Sequence, residues 1–374
     1  MGEAGDVSST HRVTLIPGDG IGPEVIEATR RVVEASGAAI DWDVRHVGQP
    51  ALDAVGTPLP DDVPESIVRN GMALKGPVST PAVTGFRSVN IALRVASGLF
   101  ANVRAARSFP GVPTPFDDVD VVVIRDVTED CYATGAEMAA GSAEAGAIIS
   151  LARLAAPRAA IPDGAAITLK AISPSASRRV AEYAFDYARR RGRRKVTAVH
   201  KAAVMKSTDG LFLEVAREVA AENPDIEFED RAVDIAAAHL VTRPHEFDVL
   251  LTPMQYGDIL SDLCGGLVGG PGMVPGFNVG TEAVLFEPGH GSAPPLAGRD
   301  VANPFATMLS AVEMLHQLGE AGPAGRIERA IGTVIAEGRS VSYDLRPGRE
   351  TAGAAGTGAV ADAVVEMIGA AGPI

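Results

Sequence analysis

Short β-branched runs alternate with longer helical patterns along the whole chain, and this alternation restricts the fold more than any other feature. Strand patterns fall at residues 13–16 (VTLI), 119–124 (VDVVVI), 167–170 (ITLK), 195–199 (KVTAV) and 249–252 (VLLT). Helical patterns fall at 23–36, 176–191, 211–223, 306–318 and 359–368. The helix at 176–191 places Val180, Ala184, Tyr187 and Ala188 at i, i+4, i+7 and i+8, which is one apolar stripe. Basic residues fill its last turn and Gly192 follows, a normal helix stop. Pro224 closes the helix at 211–223. Strands separated by helices predict an α/β sandwich with much parallel sheet. No internal repeat or clean linker divides the chain. A domain built from both termini, with a second domain inserted between them, is compatible with the pattern.

The 374 residues are 46% hydrophobic and 21% charged, which excludes a disordered or collagen-like chain. A net charge of −14 argues against a binder of nucleic-acid phosphate and against a basic membrane-surface protein. The longest uncharged run, 263–281, has the length to span a bilayer. Seven Gly and two Pro break it, so it reads as loop and turn. The first ten residues, MGEAGDVSST, lack the basic start and apolar core of a secretory signal. Two cysteines, Cys131 and Cys264, are too few for a disulfide framework and point to a reducing cytoplasm. Of the 33 basic residues only five are lysines: Lys75, Lys170, Lys195, Lys201 and Lys206. Burial and neighbours can move a Lys pKa, whereas Arg keeps its proton, so each Lys in this Arg-rich chain stands out.

Four stretches carry candidate chemistry. Residues 16–25 read IPGDGIGPEV, with Gly18, Gly20 and Gly22 between a strand and a helix. Their G-x-G-x-G spacing is not the dinucleotide fingerprint, so a Rossmann domain is set aside. A tight turn and a ligand contact both stay open there. Asp258 and Asp262, in YGDILSD, are i, i+4 and share one helix face. Two anions one turn apart suit a hard cation such as Mg²⁺ or Mn²⁺. A solvated acidic face at a helix start is the alternative, but Ile259, Leu260, Leu263 and Cys264 flank the pair with apolar surface. Asp234 is the candidate third carboxylate.

Ser88, Asn90 and Arg94 (RSVNIALR), Arg104 (ANVRA) and Arg125 (VVVIRD) form a possible set for binding several carboxylates. Arg125 ends a strong strand pattern, where ligands of α/β folds gather. Any one of these arginines taken alone also fits an ordinary surface position. Lys201, in VHKAAVMK, follows a β-branched strand and is a candidate base through desolvation or nearby cations. The alternative is a packed stem whose amine reaches water. His200 reads as structural, and Tyr132, in TEDCYAT, is a candidate acid if it gains a partner.

Taken in order, these stretches resemble the isocitrate/isopropylmalate dehydrogenases, which are metal-dependent β-decarboxylating hydroxyacid dehydrogenases. LIPGDGIGPEV, RSVNIALR, ANVR, VVVIRD, KVTAVHKA, YGDILSDL and FEPGHGSAP followed by ANPFATMLSA carry the likeness, from about residue 13 to about 365. The resemblance implies an α/β fold of two domains around a central cleft, not a Rossmann fold. Its large domain would comprise 1–104 plus 253–374, and its small inserted domain 105–252. It implies a homodimer with active sites shared between subunits. Asp258 and Asp262, with Asp234 of the partner subunit, would hold Mg²⁺ or Mn²⁺. Ser88, Asn90, Arg94, Arg104 and Arg125 would bind a small hydroxy polycarboxylate. Lys201 of the partner subunit, with Tyr132, would be the acid–base pair. Glu287, His290, Gly291 and Asn303, with Tyr343 and Arg346, would surround the adenosine half of NAD or NADP.

The chain departs from the family at Ala203, at Met254-Gln255, at Asp126-Val127 and at Asp130-Cys131. These changes line the substrate and nicotinamide walls, which is the pattern of a shifted substrate. Ser88-x-Asn90 favours an isocitrate-like acid over isopropylmalate; homoisocitrate, malate, tartrate or a specialised analogue remain alternatives. NAD users carry an Asp after HGSAP, and Pro295 stands there instead. Tyr343 and Arg346 then favour NADP, whose 2′-phosphate needs a cation. A non-catalytic regulatory subunit is the competing class, but such relatives lose metal or acid–base residues that are all present here.

Overall fold

The computed structural model describes residues 10–79, 88–157 and 160–370. The first segments are β1 (His11–Ile16), α1 (Gly22–Ala35), β2 (Ile40–Val44), α2 (Gln49–Val55) and α3 (Asp62–Asn70). They lead to β3 (Met72–Lys75), α4 (Val89–Ala96), β4 (Leu99–Arg107) and β5 (Asp120–Asp126). A smaller excursion follows: α5 (Asp130–Thr134), β6 (Glu137–Met138), α6 (Ala143–Ala155) and β7 (Ile167–Thr168). Next come α7 (Pro174–Arg190), β8 (Lys195–His200), α8 (Asp209–Glu222), β9 (Glu227–Ala232), α9 (Val233–Leu240) and β10 (Val249–Thr252). The chain ends with α10 (Met254–Leu267), β11 (Pro275–Gly280), β12 (Val284–Pro288), α11 (Phe305–Gln317), α12 (Ala321–Glu337) and α13 (Thr357–Ala370).

Ten strands form one sheet in the order β2-β1-β3-β12-β11-β4-β5-β10-β8-β9, and β6 pairs with β7 separately. Both wings are parallel, as the alternating pattern predicts. The centre is antiparallel, through the pairs β12–β11, β11–β4 and β4–β5. Helices α1, α11, α12 and α13 pack at one wing and α7 and α8 at the other. Val121, Val122, Val123 and Ile124 of β5 are all buried, the signature of a strand covered on both faces. The side chain of Ser173 caps α7, and Gly192 just beyond it adopts φ +63°.

The run at 263–281 corrects the loop-and-turn expectation. It closes α10, turns, and enters β11, a buried strand between β4 and β12. Its glycines do not break β11, because pairing on both edges supplies the order that propensity lacks. Among the described residues no helix is long and apolar enough to cross a membrane. The IPGDGIG segment is a tight turn: Gly20 has φ +60°, and a Cβ there would sit 2.0 Å from the Ser292 carbonyl oxygen.

Candidate active site

The candidate residues gather where parallel strands reach their carboxyl ends. Lys75 is the last residue of β3, and Arg125 and Glu287 are each the last but one of β5 and β12. In the antiparallel β4–β5 pair Asn102 lies opposite Arg125. Arg104 is two residues from Asn102, so all three side chains project from one sheet face. The start of α10 packs against this strand at Gly257, where a Cβ would fall 2.5 Å from Arg125 Cβ. That approach sets the next residue, Asp258, against the guanidinium, with Arg125 Nη1 to Asp258 Oδ1 at 2.5 Å. Asp262 follows one turn later on the same face of α10.

The electrostatics tie this group together. Burial pulls the Arg125 guanidinium down to about 10, with Asp258 opposing and Arg94 and Arg104 adding. Burial also lowers Arg104, against Glu287, Asp262 and Asp258. Partial burial raises the Asp262 carboxyl, and Asp258 adds to the rise. Arg104 donates to the Gly289 carbonyl at 2.6 Å, while its buried Nε has no partner. A buried guanidinium N–H without an acceptor fits an anionic ligand. Ser88 caps α4 through Ile91 N–H, which turns Asn90 and Arg94 to one side; Asn90 Oδ1 is buried and unpaired.

Glu287 departs from the sequence expectation in its surroundings. It does not line the cavity that holds His290, Gly291, Asn303 and Tyr343. It is buried in β12 between Lys75 Nζ and Arg94 Nη2, each at 2.8 Å. Burial alone would raise its carboxyl, yet Lys75, Arg94 and Arg104 hold it well below the ordinary value. Lys75 had no role legible in the sequence, because its partner lies far along the chain.

Lys201 and Asp234 stand apart. Strands β8 and β9 end side by side, with His200 opposite Ala232. The next residues bring Lys201 Nζ within 2.7 Å of Asp234 Oδ1, and Lys201 holds the Asp234 carboxyl below its ordinary value. Among the described residues no three acidic, His or Cys side chains meet closely enough to hold a metal ion. One chain therefore brings Asp258 and Asp262 together but leaves Asp234 with Lys201. Val204, Ile235 and Ile259, close neighbours of these residues, are 70%, 48% and 56% exposed. Tyr132, on α5, is 39% exposed and makes no hydrogen bond to the arginine wall among the described residues. Its loop is fixed from beneath. Asp130 accepts from Gln255 N–H of α10, and Lys170 bridges Asp130 (3.6 Å) and Asp209 (2.7 Å). Asp209 in turn accepts Lys201 N–H. The altered Met254 and Gln255 thus act here through backbone groups: Met254 O accepts from Arg125, and Gln255 N–H donates to Asp130.

His290, Gly291, Asn303 and Tyr343 line a cavity of about 290 Å³ with Ile21, Gly272 and Asp344. Burial lowers the His290 imidazole, and its Nε2 is buried without a partner. An orphaned polar atom in a recess lined by Ile21, Leu296 and Ala302 fits a bound purine. Asn303 and Ser342 both donate to Asp344. Arg346 turns instead to the Gly353 carbonyl and does not line the cavity.

The family model for isocitrate/isopropylmalate dehydrogenase matches residues 12–364. The chain is 44% identical over 339 residues to a probable isocitrate dehydrogenase (NAD) subunit alpha, mitochondrial, of Drosophila melanogaster, covering 90% of this chain and 84% of that one. It is 43% identical over 344 residues to isocitrate dehydrogenase (NAD) subunit alpha, mitochondrial, of Homo sapiens, covering 91% and 87%. The crystal structure of isocitrate dehydrogenase from Methylococcus capsulatus superposes with a TM-score of 0.86 at 46% identity, covering 96% of this chain and 99% of that one. The chain belongs to the isocitrate/isopropylmalate dehydrogenase family.

Proposed function

We propose that this protein catalyses NAD-dependent oxidative decarboxylation of isocitrate or a near analogue, in a dimer whose active sites are shared. One observation carries the reading. Three arginines and two carboxylates converge on one wall, while Lys201 and Asp234 face outward beside exposed Val204 and Ile235. A second copy supplying that pair would complete the metal and acid–base sets. The sheet order supports the division into 1–104 plus 253–374 and an inserted 105–252. A reducing, cytoplasmic setting, expected from the low cysteine count, is part of the same proposal.

Arg94, Arg104 and Arg125 would clamp the substrate carboxylates, with Ser88 and Asn90 hydrogen-bonding beside them. Asp258 and Asp262, with Asp234 of the partner subunit, would hold Mg²⁺ or Mn²⁺. The cation would supply Lewis acidity toward the substrate hydroxyl, and the nicotinamide would supply the hydride acceptor. Lys201 of the partner subunit takes the hydroxyl proton, and Tyr132 returns a proton to C3 after CO₂ leaves. NAD replaces the NADP expectation. The adenosine cavity carries the Asp344 carboxylate and no free cation among its described lining residues, so a 2′-phosphate finds no counter-charge. The two subunit-alpha relatives named above carry NAD in their names.

The test is nicotinamide absorbance with Mn²⁺, pairing NAD and NADP with isocitrate, homoisocitrate, isopropylmalate, malate and tartrate. Metal-dependent NADH formation with isocitrate is expected, and chelation should abolish it. No turnover by the isolated protein on any pair would favour the regulatory-subunit reading.

A further inference from the structure

A line of hydrogen bonds crosses five neighbouring strands behind the arginine wall. Arg125 Nε donates to Asn102 Oδ1 at 3.2 Å. Asn102 Nδ2 donates to Asn278 Oδ1 at 3.0 Å, and Asn278 Nδ2 donates to Glu287 Oε1 at 2.7 Å. Lys75 Nζ closes the line on the other Glu287 oxygen. One residue comes from each of β5, β4, β11, β12 and β3, in their order in the sheet. Asn102 and Asn278 are both fully buried.

The ends fix the middle. A guanidinium only donates, so Asn102 must turn its oxygen to Arg125. An ionised carboxylate only accepts, so Asn278 must turn its nitrogen to Glu287. Glu287 is held ionised by Lys75 and Arg94. Both amide dipoles therefore run the same way, from cation to anion, and each bond polarises the next. The sheet itself does not need these amides, since the backbone ladder already pairs Asn102 with Asn278 and with Arg125. Arg125 has two side-chain partners among the described residues. Asp258 is 44% exposed on its side chain, whereas Asn102 has no exposure. Asn102 is the rigid one.

We propose that Asn102 and Asn278 are positioning residues that aim the Arg125 guanidinium at the substrate, with Glu287 as their anchor. This rests on the reading of Arg125 as a substrate-carboxylate ligand. The test replaces each amide by an apolar side chain of similar size, Asn102→Leu and Asn278→Leu. A hydrogen bond to a charged group is at stake, so the isocitrate KM rises about 10–100-fold. Saturated kcat falls less than about threefold and the NAD KM stays within about twofold, since the acid–base residues lie elsewhere. The double variant is no worse than Asn102→Leu alone, because both act along one line. Should a leucine variant fail to fold, Asn102→Ser and Asn278→Ser shift the isocitrate KM in the same direction by a smaller factor. Lowered thermal midpoints with an unchanged isocitrate KM would overturn the proposal. Arg125→Gln separates the two readings. If it leaves the isocitrate KM unchanged, the substrate role of Arg125 fails. If it raises that KM while the asparagine variants do not, the bridge alone fails.

Discussion

The arginine wall and the Lys201–Asp234 pair are both built from opposed charges, but one is sunk in the sheet and the other stands in solvent. Lys75, Arg125 and Glu287 are 2%, 3% and 5% exposed. The Lys201 and Asp234 side chains are 30% and 59% exposed. A buried ion cluster is costly to disturb, because removing one member strands the others in low dielectric. An exposed pair contributes little to folding. The wall is therefore a finished part of each chain. The pair is a loose end, which the proposed shared site would set against a neighbouring copy.

The largest effect should come from the loose end. Lys201→Met is expected to lower kcat about 10²–10⁴-fold, with isocitrate affinity largely kept. Denaturant unfolding of the same variant should move by less than about 1 kcal/mol. Unchanged turnover breaks the assignment, and a large stability loss breaks the comparison.

Glu287→Gln is the opposite case. It leaves Lys75 and Arg94 buried against a neutral amide, so unfolding free energy should drop about 3–5 kcal/mol. A drop under 1 kcal/mol would mean the wall is no more costly to disturb than the exposed pair. Its pH dependence sharpens the point. The folded carboxyl lies well below glutamate's ordinary 4.5, so its stabilisation is complete above that value. As pH falls below it, the unfolded chain takes up a proton that the folded chain refuses. The wild-type advantage over Glu287→Gln should then shrink steadily, and urea titrations at a series of acidic pH values would read it.

Arg346→Ala should do least. Its guanidinium serves the Gly353 carbonyl, so the NAD KM should stay within about twofold. A tenfold rise would return Arg346 to the adenosine site.

Much of the fold was legible because its parallel wings obey simple periodicities. β5 is a β-branched run, β10 a short apolar one, and α7 carries a clean apolar stripe between a Ser cap and a Gly stop. The antiparallel centre was not legible. β11 (PGFNVG) and β12 (VLFEP) place Asn278 and Glu287 in the core, where sequence patterns expect apolar side chains. Those polar groups are tolerated only because Lys75, Arg94 and Asn102 meet them from distant segments. The site divides the same way. The i, i+4 spacing of Asp258 and Asp262 could be read directly, but the Lys75–Glu287 pair needs the strand order, which no local spacing encodes. Arg346 stands outside the cavity because its local turn captures the guanidinium, which no sequence spacing signals.

The central claim is that each active site draws Lys201 and Asp234 from one copy and Asp258 and Asp262 from the other. Mixing two inactive variants tests it directly. Lys201→Met co-assembled with Asp258→Asn gives hybrid dimers with one intact and one doubly defective site. Random assembly should restore about a quarter of wild-type turnover. Lys201→Met with Asp234→Asn, both on the same donated surface, should restore none. Activity absent from the first mixture, or present in the second, would contradict a shared site.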